Sequence, residues 1–120
     1  MKKPHVLIID NLQETAELIS EVLSAQGYLY SVAGNEKEAF ELIKNFDIKL
    51  VIIDFHIKGL SGAELFLQLQ KRMSVPAVLF LNVFSYSEEY DQLEISSPNA
   101  ILNKPFSIDE FVKTVSELLP

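Results

Sequence analysis

Two carboxylates and an ammonium, each closely following a short apolar run, are the groups of this 120-residue chain best suited to do chemistry. Val6-Leu7-Ile8-Ile9 leads into Asp10-Asn11, Leu50-Val51-Ile52-Ile53 into Asp54, and Ala100-Ile101-Leu102-Asn103 into Lys104-Pro105. If these runs are neighbouring parallel strands, the three groups converge at the carboxyl edge of one sheet, where open α/β sheets hold their ligands. A carboxylate in that place is a nucleophile able to form an acyl phosphate, and an ammonium beside it neutralises phosphoryl oxygens. These are the residues a phosphoryl-transfer pocket uses. Each has a plainer reading when taken singly. Asp54 alone would be a turn or cap residue, Asn11 the N-cap of the next helix, and Lys104 a solvated loop charge with Pro105 marking a turn. Their shared placement carries the argument.

The elements that must position them follow from hydrophobic periodicity. Val6–Ile9, Leu29–Ala33, Leu50–Ile53, Ala77–Leu81 and Ala100–Leu102 read as five strands. Four are nearly continuous in apolar residues, as strands buried on both faces are; the second, with Tyr30 and Ser31, reads as a sheet edge. Between them lie helices with clear start signals: Asn11…Glu14, Asn35…Glu38, Ser61…Glu64, Ser85…Glu88 and Ser107…Glu110. In each pair a capping side chain precedes a glutamate by three positions, so each can satisfy a backbone donor of the other's residue. Ala16, Ile19, Val22 and Leu23 form one apolar helical stripe, and Phe111, Val112, Val115 and Leu119 another. Gly27 is placed to end the first helix. The fourth helix, from Tyr86 to about Leu93, is short and polar and is expected to be the least stable element. Strict β-α alternation implies a parallel sheet covered on both faces by helices. The expected fold is therefore α/β, a five-stranded, doubly wound (βα)5 sandwich spanning residues 1–120 as one domain.

Composition narrows the function classes. An apolar share of 48% is that of a globular protein, and no apolar run is long enough to cross a membrane. The short apolar stretch after Met1-Lys2-Lys3-Pro4 runs into Asp10, so no signal peptide is expected. With no cysteine there is no disulfide framework and no thiolate chemistry, which fits a cytoplasmic protein. A net charge of −7 argues against direct nucleic-acid binding, because phosphates are repelled. The turn Asp10-Asn11 is no glycine-rich phosphate loop, which argues against a nucleotide-binding enzyme. His56 stands where a haloacid-dehalogenase-type phosphatase would carry its second acid.

Over essentially its whole length the chain resembles the receiver domain of two-component response regulators. The resemblance rests on Asp10, Asp54, Lys104-Pro105, the order of elements, and the loop Asp54-Phe55-His56-Ile57-Lys58-Gly59-Leu60-Ser61-Gly62. It implies a flavodoxin-like or CheY-like three-layer sandwich. It also implies that Asp54 accepts a phosphoryl group from a histidine kinase or phosphotransfer protein, and that Lys104 contacts that group. Mg²⁺ would be held by Asp10, Asn11, Asp54 and the backbone carbonyl of His56, neutralising charge as one anion approaches another. Such a domain signals rather than acting as an independent enzyme; it catalyses at most its own phosphorylation and dephosphorylation. Its altered surface comprises the fourth helix, fifth strand and fifth helix. That surface would address an effector domain, expected outside these residues, or a separate partner protein. A homodimer is left open, and no membrane partner is expected.

The chain departs from the family pattern at four places. Asn11 replaces a second acid, so Mg²⁺ affinity is expected to fall; two unit charges about 4 Å apart interact by roughly 4 kcal/mol at an effective dielectric near 20. Asn82 takes the position of the switch threonine or serine. Val83 follows where alanine or glycine is usual, and Ile101 replaces an aromatic switch residue. These departures favour an alternative: a pseudo-receiver that keeps the fold as a protein-interaction module and works without phosphorylation. His56 and Phe84 flank the expected pocket and, by analogy, would tune the phosphoryl lifetime. His5 reads as a strand-initial residue, and Tyr86, Tyr90 and Phe106 as either core or partner surface.

Overall fold

Burial along the first apolar run sets the architecture. Val6, Leu7, Ile8 and Ile9 are all fully buried, yet successive strand residues point to opposite faces, so both faces of this strand must be covered. The structure, a computed structural model, describes residues 5–10, 13–54, 65, 67–69, 71, 77–81, 100–102 and 106–119. The side chains of Gln13, Asp54, Ala77, Val78, Phe80 and Ile101 lie outside that description. The elements are β1 (His5–Ile9), α1 (Gln13–Ala25), β2 (Leu29–Ala33), α2 (Glu36–Asn45), β3 (Ile48–Asp54), β4 (Ala77–Leu81), β5 (Ala100–Leu102) and α3 (Ile108–Leu118). Residues 65, 67–69 and 71 are also helical. The segment predicted as the fourth helix lies outside the described residues.

All strand pairings are parallel, in the order β2-β1-β3-β4-β5. Two cores result, one on each face. Val6, Ile8, Leu50, Ile52, Leu79 and Leu81 pack with Ile19 and Leu23 of α1 and with Phe111 and Val115 of α3. Leu7, Ile9, Ala33, Val51 and Ile53 pack on the other face with Ala39 of α2 and with Leu65 and Leu69. Each large side chain buried in this way contributes roughly 1.5–3 kcal/mol relative to exposure. No helix among the described residues is long and apolar enough to cross a membrane.

The helix ends show why these segments stop where they do. Gly27 has φ 86°, a left-handed conformation that glycine adopts without a Cβ penalty. Its N–H bonds Ser24 O at 3.0 Å, and the Tyr28 N–H bonds Leu23 O at 3.0 Å; this pair of bonds closes a helix with its last carbonyls satisfied. At α3 the expected capping box is present, Ser107 Oγ accepting from the Glu110 N–H and Glu110 Oε1 from the Ser107 N–H. At α2 the geometry differs from expectation. Asn35 Oδ1 accepts from the Glu38 N–H at 2.9 Å, but Glu38 Oε2 accepts from the Gly34 N–H. Glu38 Oε1 is engaged by the Asn35 side-chain amide, which turns the second oxygen one residue upstream. The remaining three predicted caps fall at least partly outside the described residues.

Two further features differ from the sequence reading. β2 is an edge as expected, but β5 is the other edge, although its residues are as apolar as those of a central strand. Ala100 and Leu102 are partly buried against the core that holds Phe111 and Val115 of α3, and strand composition reports faces rather than edges. In addition, β3 carries an extra residue opposite β1: His5 pairs with Ile48 but Val6 with Leu50. Lys49 is the inserted residue, so Ile48 joins the α2-side core while Leu50 joins the other.

Candidate functional site

Past the irregularity at Lys49, β1 and β3 run in continuous register to Ile9 opposite Ile53. Asp10 and Asp54 therefore follow paired residues on adjacent strands, which lie about 4.8 Å apart in a sheet. Asp54 is the last residue of β3 and pairs with Leu81, the last of β4. Leu81 in turn pairs with Leu102, the last of β5. The ends of β1, β3, β4 and β5 thus line up at one sheet edge, and it is the carboxyl edge.

Asp10 is 3% exposed, one of the buried polar residues among the described set. Its backbone N–H donates to Ala33 O at 3.0 Å, extending the β1–β2 ladder by one residue before the chain turns toward α1. That bond fixes the Asp10 backbone. Beside it opens a cleft of about 580 Å³ between α1 and β2, lined by Asp10, Ala16, Glu17, Ser20, Tyr30 and Val32, among others. Ser20 is buried, and its hydroxyl donates to Ala16 O at 2.7 Å within α1. The sequence reading did not single out this cleft. The alternation within Leu29–Ala33, which sets Tyr30 and Val32 on one face, is the signal that could have found it.

Of the predicted site residues, the structure brings Asp10 and the backbone of Asp54 together. Asn11, His56, Asn82, Val83, Phe84, Lys104 and Pro105 lie outside the described residues, as do Tyr86 and Tyr90. Ile101 is the central residue of β5, with its side chain outside the description. Phe106 is partly buried against the α1–α3 core and stacks on Phe111 with centroids 5.9 Å apart. At the opposite edge of the sheet, His5 does more than begin a strand. Its Nε2 lies 2.8 Å from Ser31 Oγ, its ring packs on Phe46 at 4.7 Å, and burial lowers its pKa below the ordinary imidazole value.

Two aspartates at neighbouring strand ends offer hard oxygen donors, the kind a small divalent cation such as Mg²⁺ prefers. Among the described residues there is no cluster of three or more His, Cys, Asp or Glu able to hold a metal by itself. Any such ion would therefore need further ligands from neighbouring loops, water or a bound phosphoryl group. The chemistry of the donor pair fits that arrangement.

A parallel α/β sandwich with two aspartates at neighbouring strand ends on its carboxyl edge defines a class of architecture that hosts several functions. The comparisons narrow it. Residues 6–116 match the family model of the response regulator receiver domain, and the chain belongs to that family. The aerobic respiration control protein ArcA of Escherichia coli (strain K12) is 30% identical over 122 residues, covering 99% of this chain and 50% of ArcA. The chain spans about half the length of the curated relatives it matches. Among solved structures, the signal receiver domain of an HD domain-containing protein from Pseudomonas fluorescens Pf-5 superposes with a TM-score of 0.90 at 18% identity, covering 99% of this chain and 88% of that one. The chemotaxis response regulator CheY4 of Vibrio cholerae gives 0.86 at 21% identity, covering 98% and 99%. At those identities the likeness is one of fold.

Proposed function

We propose that Asp54 accepts a phosphoryl group from a histidine kinase or phosphotransfer protein, and that the chain passes the signal on as the receiver of a two-component system. The single observation carrying this reading is the register that sets Asp10 and Asp54 after paired residues at the ends of adjacent strands. In this proposal Asp54 Oδ attacks phosphorus and forms an acyl phosphate while the donor's nitrogen leaves. Asp10, Asn11, Asp54 and the His56 carbonyl would hold Mg²⁺, which supplies charge neutralisation when bound. Lys104 would hold a phosphoryl oxygen, and Asn82 would donate from its amide where a hydroxyl is usual. The 120 residues would then form a (βα)5 domain, with one further helix after β3 and another after β4. The second of these, with β5 and α3, would present the output surface to an effector domain or partner protein. A cytoplasmic location goes with this role.

Asn11, Asn82, Val83 and Ile101 favour a second reading, a pseudo-receiver acting as an interaction module without phosphorylation. Intact-protein mass after incubation with acetyl phosphate, with and without Mg²⁺, separates the two. One Mg²⁺-dependent phosphoryl addition, absent from Asp54→Ala, supports the phosphoacceptor. A chain left unmodified by both acetyl phosphate and a phosphorylated kinase supports the pseudo-receiver and removes the first proposal.

A further inference from the structure

We propose that the outer edge of β2 pairs with β2 of a second copy of this chain, antiparallel and centred on Ser31. The Asp10 N–H donates to Ala33 O, so the peptide groups of Ala33 are turned toward β1. By the alternation of a parallel ladder, those of Ser31 and Leu29 are too, while the N–H and C=O of Tyr30 and Val32 point away from the sheet. Among the described residues the only strand partner of β2 is β1. Natural edge strands are usually guarded by a lysine, a proline or a bulge. This one has none of these: Gly27-Tyr28-Leu29-Tyr30-Ser31-Val32-Ala33-Gly34-Asn35 carries no charge and no proline, and the β1–β2 register is unbroken. Leu29, Tyr30 and Val32 are 52%, 42% and 41% exposed.

The register selects a second copy over an arbitrary strand. A two-fold axis at Ser31 sets Tyr30 opposite Val32 of the other copy, and Leu29 opposite Ala33. Tyr30 and Val32 are the residues whose peptide groups face outward, so each such pair exchanges both of its hydrogen bonds. An aromatic then faces a β-branched side chain, a favourable cross-strand pair, and a large residue faces a small one. Tyr30 and Val32 also line the cleft against α1; in the paired sheet the two clefts adjoin. Glu17 and Glu21 line that same cleft, and the axis sets both α1 helices on one face of the joined sheet. Their like charges oppose association, so salt should strengthen it. A five-residue edge makes a small interface, and the dimer is weak and concentration-dependent.

Analytical ultracentrifugation of the 120-residue chain up to millimolar concentration, in about 0.05 M and about 0.5 M NaCl, tests this. A reversible dimer, tighter at high salt, is expected. Val32→Lys should weaken it by about tenfold or more, while the β-branched Val32→Thr keeps it within about threefold. Leu18→Lys makes the same charge change on the far side of α1, where Leu18 is 53% exposed, and should leave the dimer intact. Circular dichroism checks that each variant folds. Amide exchange at Tyr30 and Val32 should slow as concentration rises. A monomer at every concentration and salt overturns the proposal. So does a dimer weakened equally by Val32→Lys and Leu18→Lys, or exchange at Tyr30 and Val32 that ignores concentration.

Discussion

Neutralising Asp10 and Asp54 separately and together measures whether the two strand ends form one site. Asp10 is 3% exposed and follows Ile9, which pairs with Ile53. If the two charges keep the inter-strand spacing of about 4.8 Å, they repel by about 3.5 kcal/mol at an effective dielectric near 20. Side chains that rotate apart reduce this, so a coupling of about 1–3 kcal/mol is the working expectation. Asp10→Asn and Asp54→Asn each relieve the same repulsion. The double variant relieves it only once and should gain less stability than the sum of the single changes by that amount. The difference cancels whatever other contacts each carboxylate makes, which single variants cannot do. Urea unfolding at neutral pH in EDTA gives the four free energies. Repeating the cycle in excess Mg²⁺ should shrink the coupling, because a shared cation removes the repulsion. A coupling under about 0.5 kcal/mol in EDTA, the range of independent sites, would refute the shared-site reasoning.

Three local predictions accompany it. Gly27→Ala forces a Cβ into the left-handed conformation at φ 86° and should lower the urea-derived stability by about 1–2 kcal/mol. Ser107→Ala removes the acceptor for the Glu110 N–H and should cost about 1 kcal/mol, with Ser107→Asp recovering most of it. The pKa of His5 is lowered by burial, so its neutral form is the one the fold prefers. Its contribution to stability is complete above the unfolded value of about 6.5 and is lost as pH falls through the lower folded value. Stability should therefore begin to drop as pH falls below about 6.5. His5→Gln should flatten that slope, and imidazole NMR titration should place His5 below a free histidine.

The features legible in the sequence are those whose signals are local. Asp10 follows a run whose residues are all apolar, and it became a candidate because Asp54 and Lys104 follow similar runs. Ser107 and Glu110 cap α3 as their spacing required, and Gly27 closes α1. The exchange at Glu38 was not legible, since Gly34 and Asn35 compete for the same carboxylate and only their relative positions decide. His5 gave no sign of Ser31 or Phe46, because neither is its neighbour in the sequence.

The sequence by itself determined the α/β class, the strand runs, and the residues waiting at their ends. Each of these depends on the order of apolar, capping and charged side chains within a few positions. Only the tertiary structure decided which strands are neighbours. The backbone groups that join strands are the same at every residue, so the order β2-β1-β3-β4-β5 is chosen by how two sets of side chains fill the two cores. That choice brought Asp10 beside Asp54, made β5 an edge despite its apolar residues, and inserted Lys49 so that Ile48 and Leu50 fill opposite cores. It also left the peptide groups of Tyr30 and Val32 turned away from β1, at an edge without lysine or proline.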